Sequence, residues 1–213
     1  MKTRRDFLQH GLQASLLLGM APYAHSAEPR MRRTALVGCG WWGMNILKEA
    51  MASGRCKVVG LCDVYERPLQ ASLDEVEQQT GQRPGIYRDY QDMLESEKPE
   101  IVIVATPDHW HALPSIAAMK MGAHVFVEKP TSHTIGESQA MLKVAQETGR
   151  TVQVGLHRRI GPHHVSGMDF LKSGRVGRIG MVRMFVNSSG SGPEEPSAHS
   201  QVPRGMDWDR WCG

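Results

Sequence analysis

Gly38-Cys39-Gly40-Trp41-Trp42-Gly43 reads G-x-G-x-x-G, and its neighbours on both sides give it meaning. The run over 34–38 in front of it is β-branched and apolar and predicts a strand. Behind it, Gly43, Ile46, Leu47, Ala50 and Met51 fall at i, i+3, i+4, i+7 and i+8, one face of a helix that Gly54 ends. Strand, glycine turn and helix in that order open a βαβ unit. Gly38 permits the tight turn, Gly40 lets the backbone approach a pyrophosphate with no Cβ in between, and Gly43 lets the helix pack close to the strand. The helix N-terminus adds unpaired N–H groups and a partial positive charge.

Twenty-two glycines in 213 residues would produce such a spacing by accident, so the second strand carries weight. It is read over 57–63 and ends at Asp63, 20 residues past Gly43. A carboxylate there accepts hydrogen bonds from adenosine ribose hydroxyls and repels a 2′-phosphate, which favours NAD over NADP. Arg67 nearby keeps NADP open, because a guanidinium can accommodate that phosphate.

Further strands are read over 101–105, 123–128 and 151–155. Leu69, Leu73 and Val76 repeat the helical spacing, and Thr134-x-x-Glu137 is a capping box. It opens a helix expected to bury Ser138, Met141, Leu142 and Ala145 and to stop at Gly149. Strands alternating with helices predict an α/β fold, a Rossmann doubly wound parallel sheet over 27–156. After that the composition turns rich in Arg, His and Gly over 156–178, with a strand expected over 179–186 and a loop over 188–193. His163 and His164 read as a solvated helix start. Trp208 and Trp211 near residue 213 need a core to bury them. We read 157–213 as the start of an incomplete α/β, open-sheet substrate domain.

Composition excludes several classes. No apolar run approaches the roughly 18 residues that span a bilayer as a helix, and 25 Lys and Arg against 22 Asp and Glu leave +3, too small a surplus for a nucleic-acid binder. The four cysteines show no metal-ligand spacing, and Cys39 and Cys62 read as small buried fillers, a disulfide staying open in an oxidising compartment. His109 and His111 at i, i+2 have no third ligand, so no metal is expected. Residues 1–26 read as an address: Arg4-Arg5 before Phe7-Leu8, a short Gly-containing apolar stretch over 11–21, and small residues at Ala24 and Ser26. This resembles a twin-arginine leader cut near Ser26, which implies the twin-arginine export machinery as a partner and a periplasmic or otherwise exported protein.

Ala105-Thr106-Pro107-Asp108-His109-Trp110-His111 and Met121-Gly122-Ala123-His124-Val125-Phe126-Val127-Glu128-Lys129-Pro130 complete a pattern. Together with Gly38 to Gly43, Asp63, Tyr87-Arg88-Asp89-Tyr90 and Gly155 to Arg159, in that order, the chain resembles the Gfo/Idh/MocA family, named after glucose-fructose oxidoreductase and inositol dehydrogenase. The resemblance implies that Thr106 and Pro107 line the cofactor, that His111 sits near the adenylate-to-nicotinamide path, and that Glu128 contacts the nicotinamide ribose. Lys129 is implied to face both the nicotinamide and the substrate hydroxyl and to be the catalytic residue, a buried ammonium that stabilises alkoxide charge as hydride leaves the substrate carbon. Trp41 and Trp42 are candidates to pack on the cofactor, one of them facing the core. His157, Arg158 and Arg159 are candidates to bind a sugar or polyol, Arg158 and Arg159 being equally suited to structural ion pairs.

The family implies an NAD(P)-dependent oxidoreductase with a tightly held cofactor. Relatives carry an Asp-x-x-x-His pair as second catalytic group, later than residue 213, so a C-terminally truncated member is expected; their open sheet also serves assembly, which leaves homo-oligomerisation open. Two alternatives stand beside this reading. An exported branch resembling the family comprises glycosidases that use NAD transiently, although that branch tends to lack a lysine at the position of Lys129. The other is an inactive nucleotide-binding remnant.

Overall fold

The structure, a computed structural model, describes residues 30–185 and 201–213. The leader reading over 1–26 and the loop over 188–193 lie outside the described residues. In chain order the elements are β1 (Arg32–Val37), α1 (Trp41–Ala52), β2 (Cys56–Cys62), α2 (Glu66–Thr80), β3 (Gly85–Tyr87), α3 (Tyr90–Glu97) and β4 (Ile101–Val104). A single 3-10 turn (Asp108–Trp110) then leads into α4 (Ala112–Lys120), β5 (His124–Val127), α5 (Ile135–Thr148), β6 (Val152–Val154), α6 (His157–Ile160), α7 (Pro162–Lys172) and α8 (Trp208–Cys212).

All pairings in the sheet are parallel and its order is β3-β2-β1-β4-β5-β6. The order reverses direction between β1 and β4, and open α/β sheets bind ligands outside the carboxyl ends of the strands at that switch point. The strands are apolar on both faces because both faces are covered. Ala35 and Val37 of β1 pack with Val102 and Val104 of β4 against Met93, Met119 and Met141 of α3, α4 and α5. Leu36 and Ile103, one residue out of phase, pack on the other side against Leu47 of α1 and Leu73 and Val76 of α2. Cys39 and Cys62 are buried in these cores, as expected of small fillers.

The capping box forms as the sequence predicts. The Thr134 hydroxyl accepts from the Glu137 N–H at 3.3 Å, and the Glu137 carboxylate accepts from the Thr134 N–H at 2.8 Å. The helix it opens turns a slightly different face inward. Met141 and Val144 are buried while Leu142 is exposed, so the inward stripe runs through the i, i+3 positions 138, 141 and 144 rather than through the i, i+4 position 142.

Two other expectations are corrected. The sheet has a sixth strand, β3, whose three residues pair only with β2 at the edge and are too short to show a period of two. Conversely, residues 179–185 form no strand among the described residues. Ile179, Met181, Val182, Met184 and Phe185 are exposed, and no described edge pairs with them. A β-branched run without a ladder partner does not make a strand on its own. His163 and His164 open α7 in solvent, as expected. Among the described residues no helix is long and apolar enough to cross a membrane.

Candidate functional site

The turn after β1 is as tight as its glycines require. Gly38 sits at φ +94°, and a Cβ there would lie 2.5 Å from the Ala105 carbonyl oxygen at the end of β4. A Cβ at Gly43 would overlap the Gly38 carbonyl oxygen, so α1 can approach β1 only with glycine at that position. Gly40 is different: the space where its Cβ would stand is empty to 4 Å. That is a cradle a side chain would fill, beside the first turn of α1, which carries no acidic residue to neutralise its N-terminus.

Asp63 closes the other side of the turn. Its Oδ2 accepts from the Cys39 N–H at 2.7 Å and its Oδ1 from the Tyr65 N–H at 2.8 Å, so both oxygens are fixed and each keeps a lone pair to accept a further hydrogen bond. Burial raises its carboxyl above the usual range, and the backbone N–H groups of Tyr65 and Cys39 oppose that shift. The thiols of Cys39 and Cys62 are pushed up by burial, with Asp63 adding to the effect, so neither is a nucleophilic thiolate.

Two adjoining cavities meet at the carboxyl ends of β1 and β4. The first, about 350 Å³, is lined by Gly38, Gly40, Asp63, Thr106 and Pro107. The second, about 670 Å³, is lined by Trp41, Trp42, Thr106, His111, Glu128 and Lys129, with His157, Arg158 and Arg159 across from them. Thr106 belongs to both, and its hydroxyl is buried with no hydrogen-bond partner among the described residues. An orphaned buried hydroxyl between an empty glycine cradle and a fixed carboxylate is what an extended polar ligand would complete. These residues fit a dinucleotide: Asp63 would hold ribose hydroxyls, the backbone at Gly40 would face the pyrophosphate, and Glu128 and Lys129 would face the far nucleoside.

Other residues take up positions that the sequence leaves unspecified. His111 is buried, with Nδ1 against the Pro130 carbonyl and Nε2 2.9 Å from the Thr106 carbonyl. It braces the loop after β4 against the loop after β5. Glu128 is buried, and its carboxylate accepts from the Lys129 N–H at 3.1 Å. A Cβ on Gly155 would overlap that carboxylate, so Gly155 is the floor on which it rests. Lys129 itself is exposed, not buried as expected, because it stands beyond the end of β5 at the mouth of the second cavity. Neither tryptophan of the turn faces the core: Trp41 is 78% exposed, and Trp42 is half-buried with its ring 5.1 Å from that of His157. Among the described residues no cluster of three His, Cys, Asp or Glu could hold a metal ion.

Sequence reasoning missed one contribution to the first cavity. Met206, Arg210 and Trp211 line it, reaching it from the far end of the described chain. The signal was present in the tryptophans near residue 213, which find their packing on each other and on His109.

The Gfo/Idh/MocA family profile, described as an oxidoreductase family with an NAD-binding Rossmann fold, matches residues 32–156. The chain belongs to this family. It is 34% identical over 152 residues to glycosyl hydrolase family 109 protein 1 of Akkermansia muciniphila, covering 69% of this chain and 31% of that protein. It is 29% identical over 164 residues to inositol 2-dehydrogenase of Salmonella typhimurium, covering 76% and 48%. Among solved structures, the WlbA dehydrogenase of Bordetella pertussis in complex with NADH and UDP-GlcNAcA superimposes with a TM-score of 0.62 at 29% identity, over 70% of this chain and 44% of that one. The chain therefore spans less than half the length of each of these relatives. The matched region ends at residue 156, just past β6, so family membership rests on the sheet and both cavities' strand-end residues up to Gly155. Its coenzyme class is NAD.

Proposed function

We propose that the chain carries the coenzyme-binding half of an oxidoreductase that transfers hydride between nicotinamide and a hydroxyl-bearing carbon of a sugar or polyol. The observation that carries this reading is the empty cradle at Gly40 beside the doubly anchored Asp63, at the switch point of the sheet. The fixed carboxylate favours the ribose diol of NAD over the 2′-phosphate of NADP. When bound, NAD supplies the hydride acceptor. Lys129 stands at the mouth of the adjoining cavity, where its ammonium can donate to a substrate hydroxyl oxygen and stabilise negative charge on it. Glu128, held by Gly155 and the Lys129 N–H, presents a fixed acceptor to the nicotinamide ribose. Arg158 and Arg159 supply donors for further substrate oxygens.

The paired Arg4-Arg5 and the apolar stretch over 11–21 support export of the folded protein through the twin-arginine route. An exported enzyme of this kind retains its coenzyme and regenerates it with a second substrate. The test is to release nucleotide from the purified full chain by denaturation and to titrate the stripped protein with NAD in a calorimeter. Released NAD, or one-site binding after stripping, supports the reading, and a folded protein that yields none and binds none refutes it.

A second reading, favoured by the similarity to the Akkermansia glycosyl hydrolase, is an NAD-dependent glycosidase. Incubation with aryl glycosides and with polyols separates the two: release of aglycone without net NADH supports the glycosidase, and NADH formed with a polyol supports the oxidoreductase.

A further inference from the structure

We propose that the segment from Gly205 to Gly213 is a working part of the coenzyme site, forming the outer wall of its adenosine half. This inference rests on the coenzyme reading above and assigns it residues outside the matched region 32–156.

The segment is built onto the two loops that flank the crevice. On one side it runs antiparallel to the residues just after Asp63: the Glu66 N–H donates to the Gly205 carbonyl at 3.0 Å, the Asp207 N–H donates to the Val64 carbonyl at 3.0 Å, and Tyr65 bridges Met206. On the other side it meets the turn after β4. The Trp211 carbonyl receives two side-chain donors, His109 Nε2 at 2.8 Å and Trp110 Nε1 at 3.1 Å. Since a carbonyl only accepts, His109 carries its proton on Nε2 in this contact. The His109 ring also meets the Trp211 ring edge-on at 5.6 Å, and Trp208 stacks on Trp211 at 5.0 Å. Arg210, which also lines the cavity, latches the wall by donating to Asp89 Oδ2 at 3.1 Å and to the Arg88 carbonyl at 3.5 Å.

The cavity bounded this way is lined by Asp63 and by apolar and aromatic side chains, Tyr90, Trp110, Met206 and Trp211. A carboxylate for a sugar diol next to flat apolar surface for a base is the recognition chemistry of an adenosine. The wall also gives His109 and Trp110 an occupation: they dock the segment.

The test uses the full chain, titrated with NAD and with adenosine 5′-monophosphate. Trp211→Ala removes the aromatic surface, and Arg210→Gln, at an exposed position that leaves the fold intact, releases the latch. Each is expected to weaken both nucleotides about tenfold, the scale of one lost base-stacking surface. Adenosine 5′-monophosphate is also expected to slow trypsin cleavage after Arg210 in the wild-type chain at least several-fold. Wild-type affinity in both variants, or cleavage unaffected by saturating nucleotide, overturns the proposal. Asp63→Asn distinguishes that failure from failure of the coenzyme reading: if it weakens NAD while both wall variants do not, the coenzyme site stands and the wall is rejected. If the wild-type chain binds neither nucleotide, both fall together.

Discussion

Asp63 Oδ2 accepts the Cys39 N–H at 2.7 Å, so the carboxylate that ends β2 holds the glycine turn that follows β1. One side chain thus fixes two parts of the crevice at once, the acceptor for a ribose and the backbone that faces a pyrophosphate. In Asp63→Asn, one accepting oxygen becomes a donor that confronts either the Cys39 or the Tyr65 N–H. Leaving that buried donor unmatched costs about 1–3 kcal/mol. Chemical denaturation at pH 7 checks this, and calorimetry should show NAD affinity falling at least about tenfold with it.

The same group makes a pH prediction. Burial raises the Asp63 carboxyl in the folded protein above its unfolded value of about 3.9. Its contribution to stability is therefore greatest below the unfolded value and is lost as pH rises through the raised one. Coenzyme affinity runs the other way, because ribose hydroxyls are best accepted by the ionised form. Titrations with NAD between pH 4 and pH 7 should show affinity climbing in the wild type and a flatter profile in Asp63→Asn.

Thr134 and Glu137 cap α5 reciprocally, and the Thr134 N–H holds the Glu137 carboxyl below its usual range. Thr134→Ala should cost about 1 kcal/mol in urea unfolding at neutral pH. The Glu137 contribution is present above its unfolded value, about 4.3, and fades as pH falls through the lowered folded value. Thr134→Ala keeps the backbone N–H that holds this carboxylate, so wild type and variant should lose that contribution alike in acid and the difference between them should stay nearly constant with pH.

Lys129 stands at the mouth of the second cavity, next to the buried Glu128. Lys129→Ala should leave NAD affinity within about threefold of wild type while lowering kcat by about 10²–10³ with the best polyol. Steady-state rates together with calorimetry check both halves. Unchanged kcat would remove Lys129 from the chemistry.

Much of this was legible in the residues. Gly38 and Gly43 announce themselves by spacing, because backbone contacts as close as theirs admit only glycine, and the structure shows where those contacts fall. Long apolar strands such as β2 and β4 show in sequence because both faces are buried, which leaves an unbroken Val, Ile and Leu pattern. β3 did not, since three residues at an edge carry no period, and the run over 179–185 misled, since β propensity says nothing about whether a partner edge exists. Sequence also could not show that His111 would spend both ring nitrogens on the Thr106 and Pro130 carbonyls. Nor could it show that Trp211 would line the same cavity as Asp63 across 148 positions of chain, because residues brought together from so far apart leave no local periodicity.

On the proposed reading, the crevice between β1 and β4 holds NAD against the open backbone at Gly40. Gly40→Val probes this, because a Cβ at Gly40 meets nothing within 4 Å and the exposed turn has open space beside it. The variant should melt within about 3 °C of wild type, as for a surface change, and its calorimetric NAD binding should fall beyond detection. A Gly40→Val protein that melts normally and binds NAD as tightly as wild type would contradict that reading.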